Sequence, residues 1–549
     1  VSDSQAEKRW VWWFAVVVML VTTIPYLIGF QMEQNNSTWR FSGLLFGIED
    51  GNSYIAKMLL GASGPWLFRT PYTAYLQSGM LAFLPYMMLG KLTAPPGQHG
   101  QLVFLFHLFR IGGGIFLILA EYRFISLFVK QIGLRRLSLA MAVLGGGLGW
   151  LAVVGANHLW SGALPGMDIP LEYYSPETFG FLMILGLPHL AFARGLLLLS
   201  LEGYLAVGWE EKAFLKRLIP GILCLMIGFM QPLSVVVEWA VLFAHLLVLA
   251  LGVLFVQNQF HPVRERWSGW LVFLRRAVWI VVISSPAVLY NVLVFKLNPV
   301  MSRWEGQNLI VSPPVHHYLL AFGLILPLSI GGLWIISKEK EPKGWLLAGW
   351  VLVFPLLAYA PYNLQRRLPE AIWVALVVLA VKWIESSHGW LRRWSQRYLG
   401  LGFLSTLILF MGSFFAAATL SEPVFQKTEA VRAYTSLSQN VARDDVVLAS
   451  FATSNALPAY APVRVLLGSG PESINAREIE PQVQCFFQPD CSAEQRDQLL
   501  YEFHVQYVFW GPSERELGNW DPREASDLIP VYQENQYFIF QVRDKDLMK

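Results

Sequence analysis

Between residues 10 and 420 the chain repeats one pattern, an apolar run long enough to cross a bilayer followed by a short polar or basic loop. Such a run crosses as a helix, because in hydrocarbon only internal hydrogen bonds satisfy the backbone. The runs fall at 10–30, 102–129, 137–155, 187–207, 213–231, 233–255, 277–295, 316–336, 344–361, 367–384 and 399–420, predicting about eleven crossings. With 55% of 549 residues hydrophobic and 14% charged, the chain is too apolar for a soluble multidomain protein. The first run follows Lys8 and Arg9 and lacks a small-residue cleavage site, so it reads as a retained anchor with a cytoplasmic N-terminus.

The basic segments 130–136, 210–217, 261–267 with Arg275 and Arg276, 338–343 and 391–397 fall at alternate ends of these runs, and the positive-inside rule makes them cytoplasmic. The stretch 76–91 is short and carries Gly79, Pro85 and Gly90, so it reads as interfacial or re-entrant. Segments 31–100, 156–186, 296–315 and 421–549 then lie outside. In the tail, charged residues return and the β-type segments DVVLAS, VRVLLG, QYVFWG and YFIFQV surround the helical pattern SAEQRDQLLYEFHV, which predicts a small α/β domain. Cys485 and Cys491 bracket CFFQPDC. Their spacing fits a disulfide in an oxidising compartment as well as two free thiols, while Cys224 lies in an apolar run. A net charge of +3 provides no field for nucleic acid, and the chain has no internal repeat, P-loop, GxGxxG fingerprint or zinc-ligand spacing.

Chemistry concentrates in three places. In GIEDGNSYIAKM, residues 47–58, and the residues that follow, Tyr54, Ile55, Met58 and Leu59 predict a short amphipathic helix on the outer membrane surface, with Glu49 and Asp50 at its N-terminal end. Acids at a helix N-terminus satisfy free N–H groups and complement the dipole, which accounts for one of the two. A second carboxylate, shielded by aromatic neighbours such as Trp66 and Phe68, suits a general base acting on an acceptor hydroxyl. Lys57 has three readings: pairing with an acid, contacting a phosphate, or meeting a lipid headgroup.

In YAPYNLQRRLPEAIW, residues 359–373, Arg366 and Arg367 stand at the outer mouth of a crossing, against the positive-inside bias. Paired guanidinium groups bind phosphate through several fixed donors, whereas snorkelling to headgroups needs only one arginine. Loop 156–186 and the run after it hold Asp168, Glu172, Glu177, His189 and Arg194. The acids read mostly as solvated loop residues. His189 suits a hydrogen bond to a phosphate, a substrate hydroxyl or a backbone carbonyl. Arg194, deeper in an apolar run, is expected to face the interior and pair with something acidic or anionic. His316 and His317 are adjacent and point apart on a helix, which argues against metal ligation.

Together these features resemble the GT-C superfamily of integral-membrane glycosyltransferases, which use polyprenyl-phosphate-linked sugars as donors. The shared points are the acidic pair Glu49 and Asp50 soon after the first crossing, juxtamembrane segments after it, a second external loop bearing acids, many crossings and an external C-terminal α/β domain. The resemblance implies an α-helical polytopic GT-C-like domain over 1–420, with external loop 31–100, and an extracytoplasmic α/β domain over 421–549. It implies Asp50 as base with Glu49 as its understudy. Arg366 and Arg367, joined by His189 and Lys57, would hold the donor phosphate, and Glu172 and Glu177 would be second-loop acids near the acceptor.

The chain has neither the WWD-type signature of the oligosaccharyltransferases nor a clear metal-binding acid set. The expected reaction is therefore a metal-independent, inverting transfer without cofactor, to a glycan, lipid or protein acceptor at the outer face of a bacterial plasma membrane. Two other classes fit the same scaffold. One is a non-catalytic membrane subunit of a larger complex. The other is a transporter of a lipid-linked anion, in which Gly112–Gly114 and Gly145–Gly147 would interrupt helices.

Overall fold

Apolar length sets the architecture. The computed structural model describes residues 4–164, 167–206, 214–255, 263–339 and 341–543, without the side chains of 255 and 263–266. Parts of the basic segments 210–217, 261–267 and 338–343 therefore lie outside the described residues. Among those described, five helices are long and apolar enough to cross a membrane: Gln5–Gln34, Gln98–Ser126, Pro232–Leu254, Trp267–Leu297 and Gly389–Ala418. The helices Val315–Phe322 and Leu326–Glu339, bent by 80°, make a sixth span if taken together. This is the helix content of an integral membrane protein.

Other apolar runs form shorter helices than their length suggests. Phe214–Gly228, Gly344–Ala358 and Ile372–Ser386 have 15 residues each, which at the α-helical rise is about 22 Å against a hydrocarbon core of about 30 Å. The run at 137–155 forms Ile132–Leu144 and then breaks at Gly145. The freed backbone is held by other segments, with Gly146 N–H donating to Gly402 O and Leu148 N–H to Leu320 O. Gly112–Gly114, by contrast, sit inside the continuous Gln98–Ser126 helix. Hydropathy marks the solvent around a run and is blind to where its helix stops.

The chain falls into two compact units. Unit 1 comprises Val1–Thr23, Phe109–Val292 and Leu309–Gly412, and unit 2 comprises Ile24–Leu108, Leu293–Asn308 and Ser413–Lys549. Unit 1 is helical, with short turns at Gly149–Ala152, ahead of the second acid-bearing loop, and at Asn157–Trp160 and Leu171–Tyr173 within it.

Among the described residues, the strands lie in unit 2. β1 (Trp39–Phe41) pairs antiparallel with β2 (Phe425–Lys427). The remaining five, β3 (Val446–Leu448), β4 (Arg464–Val465), β5 (Val505–Trp510), β6 (Leu528–Glu534) and β7 (Tyr537–Val542), form a mixed sheet in the order β4-β3-β5-β7-β6. Strands β4, β3 and β5 are parallel, and β7 and β6 add antiparallel. Both faces are covered. Val447, Val465, Tyr507, Phe509 and Ile539 pack against Ala433, Tyr434 and Leu437 of the Thr428–Asn440 helix. Val446, Val505, Val508, Trp510 and Phe540 pack against Ile479, Val483 and Leu499 of the Ala476–Phe486 and Ala493–Glu502 helices. Burial on both faces explains the near-continuous apolar strands. Cys485 and Cys491 form a disulfide, and Cys224 is a buried thiol.

The expected first-loop helix is Ile48–Ala62. It packs on the seven-residue helix Leu84–Gly90, which occupies the stretch read as interfacial or re-entrant. The two backbones touch: a Cβ on Gly61 would lie 2.1 Å from Met87 O, and one on Gly90 would lie 1.7 Å from Met58 O. Only glycine permits that approach.

Candidate active site

The first-loop helix starts without a side-chain cap. Gly47 takes the left-handed conformation (φ 56°) and its carbonyl accepts from Gly51 N–H at 2.8 Å, which leaves Glu49 and Asp50 as the acids of the first turn. Both residues are exposed. Glu49 Oε1 accepts from the Gly470 backbone N–H, and its carbonyl accepts from Asn455 Nδ2 at 3.3 Å. Partial burial raises Glu49 above the usual carboxylate range. The Gly470 N–H opposes that shift, and the Asp50 and Glu472 charges add to it. The Asp50 carboxylate thus stands in a cluster of like charge at a helix end that stabilises anions.

The other side of the helix is buried. Lys57, 1% exposed, places Nζ 2.6 Å from Glu472 Oε1 and also donates to Ser53 Oγ. Ser53 Oγ donates to Glu472 Oε1 at 2.8 Å and Thr70 Oγ1 to Oε2 at 2.7 Å, so both carboxylate oxygens are used. Phe83 stacks beneath the ammonium, with its ring centroid 4.5 Å from Nζ. Asn52 donates to Asn455 Oδ1 at 2.8 Å, and Asn455 donates to Gly468 O at 2.7 Å. Of the three readings of Lys57, pairing with an acid is the one the structure shows. Of the two expected aromatic neighbours, Phe68 is fully buried, whereas Trp66 is 62% exposed beneath Lys91.

Unit 1 gathers the other candidates. Arg366 and Arg367 lie on the short turn Gln365–Arg367, ahead of the Ile372–Ser386 helix. The Arg366 guanidinium sits 4.8 Å from the centroid of the Tyr174 ring, and its backbone N–H donates to Ile310 O at 3.2 Å. Arg367 Nε is 3.4 Å from Glu177 Oε1. Arg194 pairs with Glu370 at 2.8 Å, both buried, and donates to the carbonyls of Pro176 and Glu177. The Glu177 carbonyl also accepts from Ala371 N–H at 2.9 Å. The interior pairing expected of Arg194 is thus met by an acid that the sequence analysis left unnamed, although Glu370 is itself an acid within an apolar stretch.

Two acids read as solvated are not. Glu177 is 5% exposed and faces Arg367. Glu172 is 4% exposed, with Oε1 accepting from Gly149 N–H at 2.6 Å and from Ser405 Oγ at 3.3 Å, and burial pushes its carboxyl up to about 7. Glu172 therefore fastens the turn that follows the break at Gly145. His189 is buried in the first turn of Pro188–Leu205. Asp168 is exposed and accepts from Gly162 N–H at 3.1 Å. The His316 and His317 rings lie 4.4 Å apart, and no group of three or more His, Cys, Asp or Glu among the described residues is arranged to hold a metal ion.

Glu472, Ser53, Thr70, Asn455 and Tyr174 were missed. Nothing in the sequence around Glu472 distinguishes it from a solvated loop acid.

No family model matches the chain, and no curated protein matches it. Solved structures do. The apo oligosaccharyltransferase of Archaeoglobus fulgidus aligns over 92% of this chain and 70% of its own, with TM-score 0.54 and 13% identity. The same protein, named AglB, in complex with an inhibitory peptide and a dolichol-phosphate, aligns over the same shares with TM-score 0.53 and 13% identity. Apo ArnT from Cupriavidus metallidurans aligns over 98% of both chains, with TM-score 0.52 and 12% identity. What is shared at this identity is the fold alone, that of the oligosaccharyltransferase and of ArnT.

Proposed function

We propose that the protein is an inverting glycosyltransferase that moves a sugar from a polyprenyl-phosphate donor to an acceptor hydroxyl at the outer face of a bacterial plasma membrane. Asp50 takes the acceptor proton as the acceptor oxygen bonds to the anomeric carbon. The bond from that carbon to the phosphate oxygen breaks, its electron pair stays with the lipid phosphate, and Asp50 later returns the proton to solvent. Arg366 and Arg367 stabilise the charge that accumulates on the departing phosphate, the kind of electrostatic assistance that usually contributes most to such a step. Arg367 shares its charge with Glu177, so Arg366, held on the Tyr174 ring, carries the larger part of that role. The acceptor is a glycan, lipid or protein hydroxyl, and the topology is that of about eleven crossings with the tail outside.

The observation that carries this reading is an exposed aspartate on the first turn of a first-loop helix whose opposite face is locked, in a chain with the GT-C fold. It is tested by turnover of a panel of radiolabelled polyprenyl-phosphate sugars by purified protein in detergent. Wild type is expected to release lipid phosphate with inversion at the anomeric carbon. Asp50→Asn and Arg366→Ala, folded by their melts, are expected to lose turnover by at least 100-fold, within the range for loss of a general base or of one electrostatic donor. Full activity in Asp50→Asn would refute its assignment as base, and a retained product would refute the single displacement.

A further inference from the structure

The turn that carries Glu49 and Asp50 has no cap of its own, since Gly47 offers no side chain to the free N–H groups. A first turn without a cap frays readily. What holds this one comes from the far end of the chain. The backbone N–H of Gly470 meets the Glu49 carboxylate, Asn455 reaches the Glu49 carbonyl and Asn52, and Glu472 takes Ser53 and Lys57 on one oxygen and Thr70 on the other. Residues 49, 52, 53 and 57 are thereby fixed over the first turns of the helix.

The loop that supplies Gly470 and Glu472 is itself braced. Ser473 Oγ accepts from Gly468 N–H at 2.9 Å and Ser469 N–H at 3.0 Å, and Gln307 Nε2 donates to Pro471 O at 2.7 Å and Ser473 O at 2.8 Å. A buried ion pair is weak evidence for stability, because desolvation offsets most of the attraction, but it has one good geometry and therefore specifies position. Every one of these contacts lies within unit 2.

We infer that the C-terminal loop 468–473 is a positioning element for the Glu49–Asp50 turn, and that Glu472 is its principal positioning residue. The inference rests on the reading of Asp50 as the base. The tail then acts in the chemistry without touching substrate: it sets the angle from which the carboxylates face the acceptor. It also contributes charge, since Glu472 is one of the groups that raise the proton affinity of Glu49.

Variants of the full chain test this. Gly470→Ala keeps the N–H and every buried charge but brings a Cβ to 3.2 Å from Glu49 Oε1, so the carboxylate must shift by a few tenths of an ångström. Its kcat is expected to fall several-fold, with melting temperature and donor KM unchanged. Lys57→Met/Glu472→Gln removes both buried charges together and avoids stranding one of them. Its kcat is expected to fall about tenfold at constant donor KM, a difference of about 1.4 kcal/mol.

Hydrogen exchange supplies a readout independent of turnover. Amides of Gly51, Asn52 and Ser53 should exchange about tenfold faster in the double variant, while those of β5 do not change. Rescue of kcat by Glu472→Asp above the Glu472→Gln level would add support. Unchanged exchange together with an unchanged kcat in the double variant would overturn the inference whatever the fate of Asp50→Asn. Full activity in Asp50→Asn with accelerated exchange in the double variant would instead overturn the base assignment on which the inference rests.

Discussion

Removing Arg194 should be among the most damaging single changes in unit 1. Its guanidinium lies 2.8 Å from Glu370 Oε1 with both side chains buried, and it also donates to Pro176 O at 2.9 Å and to Glu177 O. Arg194→Met preserves bulk but leaves a carboxylate buried without its partner, a change worth about 3–5 kcal/mol in comparable pairs. The double variant Arg194→Met/Glu370→Gln removes the stranded charge and should recover about 2 kcal/mol, leaving the smaller cost of two carbonyls without their donor. Unfolding by SDS titration in mixed micelles, read by tryptophan fluorescence, gives the double-mutant cycle. An Arg194→Met protein within about 0.5 kcal/mol of wild type, or a double variant less stable than the single, would refute the argument that the pair is electrostatically committed. Because the Glu177 carbonyl also receives Ala371 N–H, and its carboxylate faces Arg367, Arg194→Met should also loosen the Glu177–Arg367 contact.

Two further outcomes follow from burial and close approach. Glu172, raised from 4.5 to about 7, has its neutral form favoured by folding, so its contribution is full below about pH 4.5 and is lost as pH rises to about 7, by about 3 kcal/mol at most. Melting temperatures measured from pH 4.5 to 7.5 should therefore fall more steeply for wild type than for Glu172→Gln, and parallel slopes would contradict the burial argument. Gly90→Ala places a Cβ 1.7 Å from Met58 O and must separate the two first-loop helices, costing at least the roughly 1–3 kcal/mol of ordinary overpacking. Gly100→Ala, where a Cβ meets nothing within 4 Å, is its control and should be neutral or slightly stabilising in the same melt.

Much of this could be read from the sequence wherever the physics is local. The first-loop helix follows from its apolar spacing, β3, β4 and β7 lie within segments singled out for their β-type residues and β5 overlaps the fourth, and Arg194 had to find an acid because an isolated charge in an apolar run is too costly. Strand β6 was not legible: Ile529, Pro530 and Val531 are exposed on an edge strand, so it lacks the alternation that marks a strand with one buried face. Lys57 was left among three readings for a different reason. Its partner is 415 positions away, and whether a lysine on an amphipathic helix is wet or dry depends on what covers that helix.

That dependence also bears on how the tail should be regarded. Composition changes near residue 421 because the solvent requirement changes there, yet contacts need not respect such a change. Arg464 of β4 donates to Ala74 O at 2.7 Å, and Val465 N–H donates to Pro71 O at 2.8 Å, so first-loop backbone covers what would otherwise be an open sheet edge. Ala56 of the first-loop helix and Tyr72 are buried in the same apolar cluster as Val447, Val465 and Phe509. A sheet that completes its edge and one of its cores with residues 56–74 is poorly suited to fold as a separable module. The same contacts that finish the sheet fix the helix bearing Glu49 and Asp50, so a change that loosens the tail should reach the acids through the helix.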